Sequence, residues 1–323
     1  MKRIALILLF ASSLTVGQAI AAPTYIDVSA SSQTPGGDGT GILMGGDVDT
    51  FTSVFTQMAL FADTTTTQYD TDSSGTLTIG DKFADTGHAA VTDLLPPLGD
   101  DEGLGVLSEL TVAWSGLTGT TTSELTPVGP ELVQTVAYDA SNTTFSFYFH
   151  GDAGGPLGGP NSDFGSIGSA DNTGFTDGEK VLEIAIKGGT GVNKFDLGGD
   201  FLTGSSVLQG EIIFALDDFW WFDNGDGVAS AGDKEFNDLL GLAIPITLRS
   251  NIDQNTDDTL LDLSGAGSPG PQGFGDELFQ VHSTHDGSVD FSIPEPGTLA
   301  LLGLGLVLVP VIRRRILVKN LSN

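Results

Sequence analysis

Apolar and polar residues alternate with a period of two along much of this 323-residue chain. The pattern is clear at residues 110–114, 145–149 and 181–186. Successive side chains of a β-strand point to opposite faces, so this alternation predicts strands with one buried face. The period of 3.6 residues that marks an amphipathic helix is almost absent between the two ends of the chain. The pattern therefore predicts an all-β body over residues 22–263.

Stretches rich in Gly, Ser, Thr, Asn and Asp separate the predicted strands, and the chain contains 45 glycines. Residues 132–138 and 143–149, with turn-forming residues 139–142 between them, predict a hairpin. Many short strands joined by Gly/Asp-rich loops predict an antiparallel β-sandwich with a jelly-roll-like order. A parallel β-helix is the alternative, although the fixed repeat that it needs is not found. Residues 264–293 are predicted to form a linker or the final strand.

The first residues have the order of a secretory signal peptide. Two basic residues precede an apolar run at residues 4–10, and small residues lead to Ala19 and Ala21. Small side chains at the third and first positions before the cleaved bond fit the signal peptidase. We therefore expect cleavage after Ala21, which removes residues 1–21. An uncleaved anchor is the alternative, but the apolar run is short for a membrane span.

The other end of the chain combines three features in a fixed order. Pro294, Glu295 and Pro296 come first, and a nearly apolar stretch follows at residues 298–312. The basic residues directly after it are Arg313, Arg314 and Arg315. A helix of this length measures about 22 Å, less than the ~30 Å of the hydrocarbon core, which predicts a single short transmembrane helix. Because Lys and Arg stay on the cytoplasmic side, the rest of the chain is exported.

In this order, the three features resemble the sorting tail of the PEP-CTERM family of bacterial surface proteins. The resemblance implies that residues 294–319 form a sorting signal recognised by an exosortase, a membrane protease that removes the tail. A plain C-terminal anchor is the alternative. Before processing, the membrane is a partner only through this tail. The protein is then expected in the cell envelope, on the outer surface or in the extracellular matrix.

The charge of the chain is concentrated between its two ends. All 42 acidic residues but only six of the twelve basic ones lie within residues 22–297, which leaves a formal charge of −36 there. Nucleic acid is excluded as a partner, since phosphate contacts need Lys and Arg. Divalent cations would relieve the repulsion between the carboxylates. The alternative is that the acidity only keeps an exported protein soluble.

Residues 70–81 fit the twelve-residue pattern of a calcium-binding loop. The oxygen ligands of this pattern are Asp70, Asp72, Ser74, the Thr76 carbonyl and Asp81. Gly75 occupies the position of the sharp turn, and Leu77 is the apolar residue at position eight. The loop resembles those of dockerins and other extracellular calcium proteins, although Asp81 replaces the usual Glu. The alternative is an Asp- and Gly-rich turn that binds no metal.

A second Asp-rich segment follows at residues 222–238. When Gly227 is aligned with Gly75, the residues on ligand positions are Asn224, Asp226 and Asp233, while Phe222 takes the first position. The segment also resembles the Gly-Asp-x-Asp-Tyr-Asn-Asp stretches associated with calcium in some exported β-sandwich proteins. On that resemblance the ligands are Asp233, Glu235, Asn237 and Asp238. A solvated acidic loop is the alternative.

Aromatic residues precede this segment, and two of them suggest sugar binding. Trp220 and Trp221, if exposed, would stack on sugar rings as in carbohydrate-binding modules, whereas the alternative is that they pack in the core. Catalysis has little support, because the chain has no Cys, four His, and neither a Gly-x-Ser-x-Gly nor a His-Glu-x-x-His motif. Nothing selects a carboxylate pair for glycoside hydrolysis. We therefore expect no enzymatic activity.

These features predict an exported surface or matrix protein that Ca²⁺ stabilises. Residues 70–87, followed by the acidic triplet at 100–102, resemble flocculation-associated PEP-CTERM proteins, and this resemblance implies a role in biofilm or floc formation. Its expected partners are signal peptidase, an exosortase and exopolysaccharide. A secreted carbohydrate-binding module or carbohydrate-active enzyme is the alternative function.

Overall fold

The computed structural model describes residues 22–32, 50–96, 104, 108–140, 143–151, 173–197, 201–230, 232–241, 243–251 and 258–291. All of them fall in one compact unit, Ala21–Phe291. The predicted signal peptide (1–21) and sorting signal (294–319), with its helix at 298–312, lie outside the described residues. Within the described part, no helix is long and apolar enough to cross a membrane.

Strands make up most of the described chain, and its helices are short 3-10 turns. The strands are β1 (Thr24–Ile26), β2 (Gln57–Asp70), β3 (Lys82–Leu95), β4 (Ser108–Thr121), β5 (Thr126–Val128), β6 (Glu131–Tyr138), β7 (Thr144–Gly151), β8 (Glu179–Phe195), β9 (Phe201–Ala215), β10 (Trp220–Phe222), β11 (Lys234–Glu235), β12 (Ala243–Asn251), β13 (Asp258–Asp262) and β14 (Asp276–Phe291). The 3-10 turns are Val28–Ala30, Thr173–Phe175 and Phe236–Leu239.

The long strands form one antiparallel sheet that closes on itself. Its order is β2, β3, β4, then β6 and β7 together, β8, β9, β12 and β14, and β14 pairs again with β2. Each long strand therefore lies beside the next long strand along the chain, without the crossovers of a jelly roll. The segment 264–293, predicted as a linker or final strand, contributes β14, which lies between β2 and β12.

Opposite walls of this closed sheet pack face to face. Phe147 on β7 and Phe291 on β14 are not on neighbouring strands, yet their ring centroids lie 6.0 Å apart. Leu110, Leu182 and Ile184 are fully buried in the same core. The all-β, sandwich-like class predicted from the alternation is thus confirmed. All pairings between named strands in the described part are antiparallel, which excludes the parallel β-helix there.

The hairpin predicted over residues 132–149 is wrong. β6 and β7 run in the same direction, end to end, and do not pair with each other. Ser108–Trp114 of β4 pairs with β7, and Gly119–Thr121 pairs with β6. β8, the other neighbour, is 17 residues long and pairs with both. β6 and β7 therefore share one strand position between β4 and β8 and have the same direction.

A small sheet of β1, β10 and β11 covers one end of the closed sheet. Trp220 of β10 lies at the centre of an aromatic cluster there. The other members of this aromatic cluster are Phe147, Phe219, Phe236 and Phe291, whose ring centroids lie 5.5 to 6.1 Å from that of Trp220. The strand directions place the β2–β3 connection at the opposite end. The two predicted calcium segments therefore lie at opposite ends of the sheet.

Candidate metal centres

The first predicted calcium segment, here called loop one (residues 70–81), connects β2 to β3. Asp70 ends β2 and Asp81 directly precedes β3, and both are buried, with 6 % and 1 % of their surface exposed. Gly75 has a φ of +74°, a left-handed conformation that glycine adopts without strain. It makes the sharp turn expected at that position. Gly80 donates its N–H to the Thr121 carbonyl at 2.9 Å, which ties loop one to β4.

Main-chain N–H groups of loop one hold its two buried carboxylates in place. The donors are Ser74 and Gly75 for Asp70, at 3.0 and 2.7 Å, and Thr71 and Thr78 for Asp81, at 2.9 and 2.6 Å. Each carboxylate therefore accepts two main-chain hydrogen bonds from the loop that it closes. Charge-assisted bonds of this kind are among the stronger hydrogen bonds in proteins. They fix the orientation of both carboxylates.

The predicted acidic ligands of loop one lie close together. One carboxylate oxygen from each of Asp70, Asp72 and Asp81 lies within 4.8 Å of the other two. The Ser74 hydroxyl, a further predicted ligand, donates to the Thr76 carbonyl at 2.9 Å. None of the lysine–carboxylate pairs among the described residues includes these three carboxylates. A hard divalent cation that prefers oxygen ligands would offset their mutual repulsion.

The second acidic cluster lies in loop two (residues 223–233), between β10 and β11. Carboxylate oxygens of Asp223, Asp226 and Asp233 lie within 4.8 Å of one another. The Asp233 carboxylate accepts hydrogen bonds from the N–H groups of Asn224 and Ser230, at 2.9 and 2.6 Å. These distances equal those at Asp81 in loop one. The two loops thus close in the same way.

The structure changes the set of candidate ligands in loop two. Asp223, which the sequence alignment left out, accepts the N–H of Gly227 at 3.2 Å and occupies the place that Asp70 has in loop one. The Asn224 side-chain oxygen accepts the N–H of Asp226 at 3.2 Å, as Asp72 accepts that of Ser74 in loop one, and its amide donates to the Ser230 hydroxyl at 2.9 Å. Loop two is one residue shorter than loop one, so an alignment fixed on Gly227 puts Phe222 on the first ligand position in place of Asp223. The signal that could have found Asp223 is its acidic side chain directly after β10.

Two other predicted acidic ligands do not join the loop-two cluster. Among the described residues, that cluster of carboxylates contains neither Glu235 nor Asp238. The Asn237 amide donates to a carboxylate oxygen of Asp217. The pKa of Glu235 is raised, mainly by burial and to a smaller extent by a hydrogen bond with Asp218 and the charge of Asp218. Asn237 and Glu235 therefore interact with Asp217 and Asp218, which lie ahead of β10.

Local hydrogen bonds and burial set the pKa values of three cluster carboxylates in opposite directions. Hydrogen bonds from the side chain and the N–H of Ser74 lower the pKa of Asp72. Burial raises the pKa of Asp223. Burial also opposes ionisation of Asp233, but hydrogen bonds, first from the N–H of Asn224, outweigh it and lower that pKa. Asp223 therefore keeps its proton up to a higher pH than an ordinary aspartate does. A cation that binds loop two must displace this proton.

The two predicted sugar-stacking residues differ in exposure. Trp220 is 1 % exposed inside the aromatic cluster, so its ring has no face that could meet a sugar. This removes Trp220 from the candidates. Trp221 is partly exposed, and its ring stacks on Tyr25 with the two planes 1° apart. Its indole N–H donates to the Asp218 carbonyl at 2.8 Å, which holds the ring in place.

A third group of possible metal ligands was not predicted. It consists of Glu109, His150 and Asp177, with ligand atoms within 4.8 Å of one another. Glu109 and His150 are register partners on β4 and β7, and their side chains approach to 3.7 Å. No spacing in the sequence marks this group. Only the register of β4 against β7 places the first two side by side.

Comparison with known proteins bears on the tail, which lies outside the described residues. The family model for the PEP-CTERM protein-sorting motif matches residues 292–315, including the Pro-Glu-Pro triplet and the arginines. No curated protein matches the chain. The family match confirms the predicted resemblance of the tail. The chain therefore carries a PEP-CTERM protein-sorting motif, which supports an exosortase substrate and implies export to the cell envelope or surface.

Proposed function

We propose that loop one and loop two bind calcium and thereby stiffen a non-enzymatic surface protein that associates with exopolysaccharide in biofilms or flocs. The observation that carries the proposal is the repeated geometry of the two loops. Each has three carboxylates within 4.8 Å. In each, the last Asp accepts N–H groups from the residue after the first Asp and from the residue three positions before itself. A shared ligand explains why two separate loops have the same arrangement.

Calcium in loop two would also fasten the N-terminal strand to the rest of the fold. The Tyr25 hydroxyl of β1 donates to Asp233 at 3.0 Å, and the N–H of Asp223 donates to the Pro23 carbonyl at 3.0 Å. The chain contains no Cys, so no disulfide ties these segments together. A bound ion would supply such a tie. Loop one would do the same for β2, β3 and β4 at the other end.

The charge of the exported body supports a role in a matrix held together by cations. With a formal charge of −36 over residues 22–297, the protein needs cations to approach acidic polymers or another copy of itself. Divalent ions can bridge carboxylates on two molecules. The alternative, a carbohydrate-binding module or enzyme, has less support, because Trp220 is buried and one face of Trp221 is covered by Tyr25.

The test is cosedimentation of the full chain with exopolysaccharide from the producing cells. We expect the bound fraction to rise severalfold with Ca²⁺ and to return to the baseline when a chelator is added. The double variant Asp72→Asn with Asp226→Asn should lose this dependence, whereas Asp93→Asn, an exposed acid outside the clusters, should keep it. Binding that ignores calcium, or the release of reducing ends, would contradict the proposal.

A further inference from the structure

The closed sheet encloses a cavity of about 400 Å³. Because the aromatic cluster fills the interior at one end, the cavity lies towards the other end, where Leu77 of loop one and Leu125 after β4 border it. The closed sheet has eight strand positions, one of which β6 and β7 share. A closed antiparallel sheet of this size leaves an interior just wide enough for side chains or for one small ligand. The volume falls within the range of about 300 to 1,000 Å³ typical of ligand sites.

Apolar side chains form most of the wall of this cavity. They include Leu60, Val112, Val136, Phe145, Phe195 and Val281. These residues come from six different strands around the sheet, so the apolar surface surrounds the space. Water gains few hydrogen bonds in such a cavity. An apolar molecule that fills it gains about 25 cal/mol for each Å² removed from water.

A few polar groups interrupt the apolar wall. The Asp85 carboxylate accepts hydrogen bonds from the Thr66 hydroxyl, at 2.6 Å, and from the Trp114 indole N–H. The Tyr138 hydroxyl shares a hydrogen bond of 2.7 Å with the hydroxyl of Ser206. All five residues line the cavity. Convergent polar groups in an apolar pocket orient a ligand and select it.

One polar atom in the wall has its hydrogen-bonding capacity unused. The side-chain oxygen of Gln68 is buried and has no hydrogen-bond partner among the described residues. A buried acceptor without a donor costs about 1 to 3 kcal/mol. Because Gln68 lines the cavity, a ligand with a hydroxyl or amide N–H group could supply the donor once the side chain rotates towards it.

The wall also selects against charged ligands. It contains no Lys or Arg among its described residues, so nothing offsets the charge of an anion. Burial raises the pKa of Asp85, which disfavours the ionised form that a cation would need. Burial likewise raises the pKa of Tyr138 to about 12, so its hydroxyl stays neutral. A charged molecule would lose its hydration here without gaining a partner.

The geometry points to a binding site for one small, uncharged, mainly apolar molecule that carries a hydroxyl or amide hydrogen-bond donor. Its apolar part lies between the walls of the closed sheet, and its donor reaches the Gln68 oxygen or the Asp85 carboxylate. The site is separate from the acidic clusters and does not rest on the proposed binding of calcium.

The test uses the full chain and the neutral fluorophore N-phenylnaphthylamine, with a chelator present so that the result does not depend on calcium. We expect the fluorescence of the probe to rise on binding and decanol to displace it. Decanoate and decylamine, with the same chain length but opposite charges, should displace it at least about tenfold less well, which is about 1.4 kcal/mol. Equal or better displacement by either ion would overturn the proposal.

A pair of matched variants tests whether the probe binds inside the cavity. Val281→Trp adds bulk to the wall and should lower the affinity for the probe about tenfold. Val207→Trp makes the same change on the exposed outer face and should leave the affinity unchanged. Because both variants keep the apolar ends of the chain, a difference in affinity between them cannot come from binding of the probe to those ends. If Val281→Trp does not keep the circular-dichroism spectrum of the parent, the smaller change Phe279→Trp replaces it. Equal affinity in the filled and control variants, or no binding by the parent, would overturn the proposal.

Discussion

Saturating Ca²⁺ should raise the melting temperature of the parent chain by about 5 to 10 °C for each occupied loop. A ligand at a hundred times its Kd stabilises the folded state by about 2.7 kcal/mol. In a body of this size, each kcal/mol shifts the midpoint by about 2 to 4 °C. The variant to compare is Asp72→Asn, because Asp72 is the exposed member of the loop-one cluster and its replacement leaves the buried carboxylates and their N–H donors in place.

Asp72→Asn should keep only the part of the calcium-induced rise that comes from loop two. Asp226→Asn, which replaces the exposed member of the loop-two cluster, should keep only the part from loop one. The double variant should show no rise. Asp93→Asn removes one exposed charge outside both clusters and should melt like the parent with and without Ca²⁺. A double variant that Ca²⁺ still stabilises as much as the parent would show that the stabilising ion binds elsewhere.

The second large effect is expected at Trp220, the centre of the aromatic cluster. Its side chain is 1 % exposed and contacts four phenylalanine rings with centroids within 6.1 Å. Trp220→Ala should lower the free energy of unfolding by about 3 to 5 kcal/mol, since it removes apolar contacts and leaves a cavity. Urea denaturation measures this change.

Trp221→Ala is the matched control for this prediction. Trp221 is the next residue of β10, but it is partly exposed and packs mainly on Tyr25. Its replacement should cost about 1 kcal/mol, the value of one aromatic pair. If the two variants lose equal stability, the small sheet does not depend on the aromatic cluster for its attachment to the closed sheet.

The period-two pattern was sufficient to predict the strands but not their partners. Residues 132–138 and 143–149 are strands as expected, yet they lie end to end because β4 and β8 are long enough to pair with both. A turn-rich stretch such as residues 139–142 shows where a ladder of hydrogen bonds breaks. It does not show whether the chain then reverses. That choice depends on the neighbouring strands, which lie far away in the sequence.

The two acidic loops show the same limit for the candidate sites. Loop one has the standard spacing, and its carboxylates lie together where the pattern placed them. Loop two is one residue shorter, so the spacing put Phe222 on the first ligand position and missed Asp223. Only the hydrogen bonds around Asp233 reveal the equivalence of the two loops. The cavity was likewise hidden, because its wall combines alternate residues from most of the long strands.

Equilibrium dialysis against radioactive Ca²⁺ tests the central claim most directly, because it counts bound ions. We expect two ions per parent chain, one for Asp72→Asn, one for Asp226→Asn and none for the double variant, with Asp93→Asn equal to the parent. A parent chain that binds no calcium, or a double variant that still binds two ions, would contradict the assignment of loop one and loop two as calcium sites.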